Sequence, residues 1–108
     1  MDEIVVFITA SKEEEAAKIA RALVEERLAG CVNIINDIRS IYNWQGKIED
    51  EKEVLLIAKT GKRLFKRLVK KVRQLHSYTV PEIIAMPIAE GSTEYLKWLK
   101  GVTKPQKI

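Results

Sequence analysis

The segment from His76 to Ile83 gathers the side chains of this chain that are best suited to binding chemistry. It contains the only histidine, followed by the phenol of Tyr78 and the carboxylate of Glu82. Pro81 disfavours helix at Val80, so the segment leads from a helix into an extended strand. Imidazole is the commonest metal ligand among side chains, and oxygen donors can complete a site. The segment therefore predicts a metal site with His76 and Glu82 as ligands. The alternative is that His76 only interacts with the dipole at the end of its helix.

Nitrogen and sulfur ligands are otherwise scarce. A closed zinc or copper site needs three or four such ligands, and the chain has a single cysteine, Cys31, with no C-x-x-C, H-x-x-x-H or H-E-x-x-H motif. Cys31 follows a predicted helix and is interpreted first as a small buried apolar side chain. A symmetric assembly would multiply each ligand. His76 with Tyr78, Glu82 or a neighbour's carboxylate could then hold a divalent metal weakly.

The acidic run from Glu49 to Glu53 resembles a site for hard cations. Neighbouring residues in a strand point to opposite faces, so only Glu49, Glu51 and Glu53 share one. No EF-hand spacing is present. We interpret the run as a solvated hairpin arm, in which Glu53 borders the buried half of the strand and could pair with Lys47 or Lys59.

The stretch from Lys59 to Arg73 carries eight basic residues and no acidic one. Clustered positive charge can attract nucleic acid, but no RNP motif with stacking aromatics is present. A solvated helix face is the favoured interpretation, and we predict no nucleic-acid partner. No nucleophile elbow, P-loop or G-x-G-x-x-G motif occurs, so we predict a protein that is not an enzyme and needs no organic cofactor.

Composition indicates one soluble globular domain spanning residues 1–108. The chain has 46% hydrophobic and 31% charged residues and a net charge of +4. No apolar run approaches the roughly 20 residues of a membrane helix, which predicts no membrane partner. The N-terminus lacks a positively charged leader, and a lone cysteine suits a reducing compartment, so we predict a cytoplasmic location. Residues 103–108 are predicted to be a flexible tail.

Hydrophobic periodicity predicts the elements that position these residues. Ile4–Ile8 is a buried strand. Ser11 and Glu14 form a capping box for a helix with apolar positions to Leu28, and Gly30 stops it. A strand from Cys31 to Trp44 follows, with Asn36-Asp37 as a possible bulge. Gln45-Gly46 is a hairpin turn before a strand from Lys47 to Lys59. Thr60 caps a second helix, Ile83–Ile88 is a strand, and Ser92 or Thr93 opens a last short helix.

Five apolar side chains of the Cys31–Trp44 strand are expected on one face: Val32, Ile34, Ile38, Tyr42 and Trp44.

The order βαββαβ plus a short C-terminal helix predicts an α+β, ferredoxin-like split βαβ fold. Two helices cover one face of such a sheet and leave the other open. Long hairpin strands with exposed apolar residues favour self-association with closed symmetry. We therefore expect Tyr42, Trp44, Lys47 and Glu53 at an interface between subunits.

Five blocks of sequence resemble the CutA divalent-cation tolerance family. They are Ala29-Gly30-Cys31-Val32-Asn33-Ile34, Ser40 to Ile48, Glu53 to Thr60, His76 to Ile83, and Tyr95-Leu96-Lys97-Trp98. They occur in the family's order and with similar spacing over nearly the whole chain.

The resemblance implies a tight homotrimer with the architecture of the nitrogen-regulatory PII proteins, located in the cytoplasm in microbes. It also implies a response to divalent cations, copper first among them. Some members carry a cysteine and a second histidine where this chain has Ile8 and Leu75, so metal binding is expected to be weak. The rival hypothesis is a PII-like sensor of a small molecule or anion. Its clefts between subunits would be lined by Lys59, His76, Tyr78 and Glu82, with Cys31 as a further candidate.

Overall fold

The computed structural model describes residues 2–105 and confirms the predicted order of elements. The four strands are β1 (Glu3–Ala10), β2 (Cys31–Trp44), β3 (Lys47–Gly61) and β4 (Ile83–Pro87). The helices are α1 (Glu13–Glu25), α2 (Phe65–Leu75), which follows a single 3-10 turn at Lys62–Leu64, and α3 (Thr93–Val102). None of the helices in this part of the chain has the length and apolar character that crossing a bilayer demands.

The strands form one antiparallel sheet in the order β2-β3-β1-β4. This is the predicted ferredoxin-like topology, with the two crossovers through α1 and α2. The core lies between the sheet and these helices, and Val6, Ile8, Ile19, Leu23 and Leu68 are fully buried within it. β1 pairs with β3 only from Val54 to Gly61. The rest of the β2–β3 hairpin therefore extends beyond the four-stranded sheet as a two-stranded arm.

The predicted bulge is present and has a larger effect than the sequence analysis assigned to it. Ile35 lies opposite Leu55, whereas Ile38 lies opposite Glu53, so β2 has one extra residue there. Residues opposite each other share a face, and one extra residue moves all later side chains to the other face. The prediction that Val32, Ile34, Ile38, Tyr42 and Trp44 share a face is therefore wrong. The first two face the helices, and the last three lie on the open face of the sheet.

Three predictions about helix ends are also wrong. Lys12, not Ser11, is the N-terminal flanking residue of α1, and no side chain caps it. Thr60 does not cap a helix, because it lies in β3 and its hydroxyl donates a 2.7 Å hydrogen bond to the buried carbonyl of Leu28. Gly30 does not stop α1, which ends at Glu25.

The C-terminal end of α1 is a Schellman motif closed by Arg27. Its φ of 59° is left-handed, and hydrogen bonds run from Leu28 N to Leu23 O and from Arg27 N to Val24 O. Glycine usually occupies this position because it lacks Cβ. Arg27 occupies it with a guanidinium that reaches the carbonyls of Val102 and Lys104. The turn thereby binds the end of α3 to α1.

Helix α3 begins as predicted and holds part of the predicted tail. Ser92 Oγ accepts a hydrogen bond from Tyr95 N at 3.3 Å. Thr103, the first residue of the predicted flexible tail, is buried and donates to Leu99 O at 2.9 Å. The structure therefore anchors the start of that segment, while residues 106–108 lie outside the described residues.

Candidate functional site

A cleft of about 650 Å³ opens where the hairpin arm leaves the four-stranded sheet. The turn after α2 forms one wall, and the β2 strand of the arm forms the other. Its lining includes two of the predicted site residues, Tyr78 and Glu82, and three of the predicted interface residues, Tyr42, Trp44 and Glu53. Thr9, Arg39, Ser40, Ile41, Thr79 and Val80 complete it. The junction segment and the hairpin arm, which are far apart in sequence, therefore contribute to one site.

A hydrogen bond between Tyr78 and Glu53 joins the two walls. The phenol donates to Glu53 Oε2 at 2.6 Å, and Glu53 is only 6% exposed. Burial is the first cause that raises the pKa of Tyr78, and the hydrogen bond to the carboxylate raises it further. Glu53 therefore interacts with the phenol, and the predicted pairing with Lys47 or Lys59 is wrong.

The His76 side chain is fully buried behind the cleft. Its Nδ1 lies 3.0 Å from the backbone nitrogen of Tyr78 and accepts that N–H. Because a neutral imidazole carries its proton on the other nitrogen, Nε2 donates to the carbonyl of Thr9 at 2.6 Å. Glu15 Oε2 lies 3.3 Å from Nδ1. The imidazole thus joins the turn to β1 and fixes the backbone that presents Tyr78. The link to α1 is the N–H of Ser77, which donates to Glu15 Oε2 at 3.3 Å.

Within the described part of one chain, the predicted ligands His76 and Glu82 are not joined by further donors into a metal site. Across residues 2–105, no group of three or more histidine, cysteine, aspartate or glutamate side chains is placed to hold an ion. Glu82 is exposed and lines the cleft, whereas His76 does not line it and has both ring nitrogens in hydrogen bonds. Ligation by His76 would require one of these bonds to break, and it stays a prediction.

Lys59 and Cys31 lie opposite each other at the other end of the open face. Six residues along β3 separate Lys59 from Glu53, a span of about 20 Å. Lys59 Nζ donates a hydrogen bond to Asn33 Oδ1, and Cys31 Sγ lies 3.9 Å from the same oxygen. Cys31 is half-buried rather than buried. One chain therefore does not bring Lys59 or Cys31 to Tyr78, and only a second subunit could join the two groups.

The arm presents its predicted interface residues on its open face. Tyr42 is opposite Glu49, and Trp44 is opposite Lys47. Both aromatic side chains are exposed. Tyr42 donates its phenolic proton to Glu51, and this bond raises the pKa of Tyr42 to about 12.

Sequence reasoning did not identify three residues that the structure places at the site. The carbonyl of Thr9 accepts the Nε2 proton of His76, and the carboxylate of Glu15 accepts the N–H of Ser77. Arg39 lines the cleft and makes a two-pronged ion pair with Asp50, with distances of 2.8 and 2.6 Å. The register of the hairpin places Arg39 next to Asp50 on one face, so this ion pair could have been predicted from the sequence. Nothing in the sequence indicated the contacts of Thr9 and Glu15.

Comparison with known proteins places this geometry in a family. Residues 4–102 match the family described as CutA1 divalent ion tolerance protein. The chain is 56% identical over 101 residues to the divalent-cation tolerance protein CutA of Thermus thermophilus, covering 94% of this chain and 98% of that protein. It is 49% identical over 98 residues to human protein CutA, covering 91% of this chain and 55% of the human protein.

Solved structures agree with the sequence match. The structure named the periplasmic divalent cation tolerance protein CutA from Archaeoglobus fulgidus superimposes with a TM-score of 0.92 at 41% identity. The match covers 94% of this chain and 99% of that one. The order of elements, the sheet topology and these identities over nearly the full length lead to one conclusion: this chain belongs to the CutA1 divalent ion tolerance protein family.

Proposed function

We propose that this chain acts in divalent-cation tolerance as a homotrimer. Each trimer would bind a divalent cation weakly, with copper as the first candidate, at sites completed between subunits. The observation that carries the proposal is the uncovered apolar surface of the sheet. Residues 2–105 contain no group of three or more side chains placed to hold an ion, so the proposed site needs ligands from a second chain.

The apolar surface lies on the face opposite α1 and α2. Ile35, Ile84 and Met86 on this face are exposed by 44%, 55% and 54%. Trp44 continues it along the arm. An exposed apolar area that is continuous along a sheet favours association with another protein surface. Packing of sheet against sheet around a closed axis would cover it in all subunits at once.

The trimer is tested by sedimentation velocity at low micromolar concentration, with two matched variants. Ile35→Glu puts a charge on the open face, and Val24→Glu puts one on the helical face, where Val24 is 43% exposed. We expect three associated chains for the unmodified protein and for Val24→Glu, and dissociation for Ile35→Glu. A folded monomer in the unmodified protein would overturn the proposal.

Cation binding is tested by calorimetric titration of the assembled protein with Cu²⁺. We expect Glu82→Gln to weaken binding, because the cleft then loses an exposed carboxylate. His76→Ala should remove most specific binding, because the imidazole would leave the carbonyl of Thr9 to bind the metal. Cys31→Ser should have little effect. Copper binding that survives in both Glu82→Gln and His76→Ala but is lost in Cys31→Ser would show that the wrong ligands were chosen.

A second candidate function is a sensor of a small molecule or anion. The observation that favours it is the cleft itself, since its volume is within the usual range for ligand sites. Tyr42 and Trp44 offer aromatic surface there. Arg39 also lines the cleft, and an anion would compete with Asp50 for its guanidinium. In an assembly, Lys59 of another subunit would add a second cation. Thermal shifts with small anions in the absence of metal, lost in Arg39→Ala, would favour the sensor over the cation site.

The location in the cytoplasm is also a proposal. The single cysteine suits a reducing compartment, while the Archaeoglobus relative is named periplasmic. Fractionation of the source cells with an antibody against the chain decides between the two compartments.

A further inference from the structure

The cleft between the hairpin arm and the turn after α2 has the size and the walls of a site for an organic molecule. Its volume of about 650 Å³ lies within the usual range for small organic ligands. Tyr42, Trp44 and Tyr78 contribute rings to its lining, and the first two are exposed by 37% and 42%. The faces of aromatic rings attract organic cations and also cover apolar carbon.

The charges at the cleft favour a positive ligand. Two carboxylates, of Glu53 and Glu82, and one guanidinium, of Arg39, line it. Two nitrogens of the guanidinium are bonded to the two carboxylate oxygens of Asp50, at 2.8 and 2.6 Å, so its charge is already balanced. An anion in the cleft would have to compete with Asp50 and would lie near two carboxylates. Neither effect opposes a cation.

The phenols of the cleft respond to the same negative charge. Burial is the first cause that raises the pKa of Tyr78, the hydrogen bond to Glu53 is the second, and the charges of Glu53 and Glu51 add to both. The hydrogen bond to Glu51 is the first cause that raises the pKa of Tyr42, and the charges of Glu51 and Glu53 contribute. Carboxylates that hold protons on two phenols also stabilise a positive group placed beside them.

Glu53 supplies an independent indication of a ligand. It is 6% exposed, and its Oε2 accepts the phenolic proton of Tyr78. Its other oxygen, Oε1, accepts no hydrogen bond from residues 2–105. In this part of the chain, Glu3 Oε1 is the only fully enclosed side-chain oxygen or nitrogen without a partner. Glu53 Oε1 is therefore unpaired but still accessible.

The accessible side of Glu53 Oε1 is the side of the cleft. Its carboxylate lies beside the phenol of Tyr78, and both residues line the cleft. A nearly buried carboxylate oxygen without a donor is unfavourable, and a charged N–H group is the donor that stabilises it most. A ligand in the cleft can supply that group.

We propose that the cleft binds a protonated organic amine. Its ammonium group would donate to Glu53 Oε1, and its carbon part would lie against Tyr42, Trp44 and Val80. The inference rests on the second candidate function, the small-molecule sensor, and assigns the charge class of the molecule. An amine needs one carboxylate oxygen and apolar walls. A metal ion needs several donors at one point, which residues 2–105 of one chain do not bring together.

The test is calorimetric titration of the assembled protein, freed of metal with a chelator, with three probes of similar size. Benzylamine carries a protonated amine next to an apolar ring, benzyl alcohol is its neutral counterpart, and benzoate is its anionic counterpart. We expect benzylamine to bind at millimolar concentration or below. The other two should bind roughly ten-fold more weakly or worse, because they cannot make a hydrogen bond between opposite charges with Glu53.

Glu53→Gln and Glu51→Gln form a matched pair of variants. Both carboxylates accept a phenolic proton, and both substitutions remove one negative charge at nearly constant shape, but only Glu53 lines the cleft. We expect Glu53→Gln to weaken benzylamine binding by roughly ten-fold or more. Glu51→Gln should change it by less than about two-fold, because an exposed charge is screened by solvent. Thermal unfolding checks that both variants are folded.

Trp44→Leu tests the aromatic wall independently of the carboxylate. Its control is Trp98→Leu, because Trp98 is exposed to a similar degree, 45%, and lies on α3 outside the lining of the cleft. We expect Trp44→Leu to weaken benzylamine binding by roughly two- to five-fold and Trp98→Leu to leave it unchanged. Sedimentation checks the assembly of both, and the Glu53 and Glu51 pair carries the test if Trp44→Leu dissociates.

Three results would overturn the proposal, and they separate it from the proposed function. Benzoate that binds more tightly than benzylamine, with dependence on Arg39, would retain the sensor and reverse the charge of its ligand. Binding of Cu²⁺ without binding of benzylamine would retain the metal site alone. Equal losses in Glu53→Gln and Glu51→Gln would show that benzylamine is attracted only by the general charge of the arm.

Discussion

The phenol of Tyr78 donates a 2.6 Å hydrogen bond to the buried carboxylate of Glu53. Tyr78 lies in the turn after α2, and Glu53 lies at the position of β3 where the hairpin arm begins. This bond therefore fixes the turn against the base of the arm. His76 supports the same turn from behind through its hydrogen bonds to Thr9 and to the backbone of Tyr78.

Tyr78→Phe should destabilise the protein by about 1–2 kcal/mol at neutral pH, because the buried carboxylate loses a donor. The raised pKa of Tyr78 also gives a pH dependence. The folded state holds the phenolic proton more tightly than the unfolded state. The contribution of Tyr78 to the free energy of unfolding is therefore fully present below a pH of about 10. It is lost as the pH rises through the raised pKa. Urea unfolding at fixed protein concentration between pH 7 and 11 measures both effects.

The matched control is Tyr42→Phe, because Tyr42 also donates to a carboxylate but is exposed. It should change the free energy of unfolding little. An equal loss in both variants would contradict the role assigned to the burial of Glu53.

Deleting Asp37 should remove the extra residue of the bulge and leave a regular ladder, because Ile38 would still lie opposite Glu53 and Asn36 would lie opposite Val54. Tyr42 and Trp44 would keep their partners Glu49 and Lys47 and stay on the open face. We therefore expect the proposed assembly to persist in sedimentation, and dissociation would contradict the register described for the arm. Asp37→Gly keeps the residue count and relieves a φ of 62°, so it should retain the assembly and be stabilised by about 0.5–1 kcal/mol.

Gly30→Ala should be destabilising because the new Cβ would lie 2.5 Å from Leu99 Cδ1 and 2.8 Å from Val102 Cγ2. Overpacking of this kind costs about 1–3 kcal/mol. Gly101→Ala is the control within α3, the helix that the Gly30 substitution would press against, since the Cβ at position 101 would meet nothing within 4 Å. It should stabilise α3 by about 0.5–1 kcal/mol. Chemical denaturation of the two variants checks both signs, and a stabilised Gly30→Ala would contradict the packing described for α3.

Gln45→Asn should stabilise the hairpin turn by a few tenths of a kcal/mol or more. Gln45 and Gly46 have φ angles of 52° and 83°, which is typical of a type I′ turn. Asparagine tolerates the left-handed region better than glutamine does. Thermal unfolding measures the gain, and Gly46→Ala should show the opposite shift although its Cβ would have no close neighbour.

The sequence by itself determined the order of elements, the ferredoxin-like topology, the hairpin turn and the position of the bulge. These features follow from local patterns of apolar residues, glycine and proline, which act over a few neighbouring positions. Ser92 or Thr93 was predicted to open the last helix for the same reason, and the structure shows that Ser92 does so. The sequence also placed His76 and Tyr78 between a helix and a strand, because Pro81 disfavours helix at the residue before it.

Only the tertiary structure decided which way the side chains face and with which groups they bond. The bulge moved Tyr42 and Trp44 to the open face, and long-range packing placed Thr60 against Leu28 rather than at a helix end. The burial of His76 and the bond of Glu53 to Tyr78 each join residues that are distant in sequence. Such contacts depend on which surfaces meet when the sheet and the helices pack. Local hydrophobic periodicity does not predict these long-range contacts.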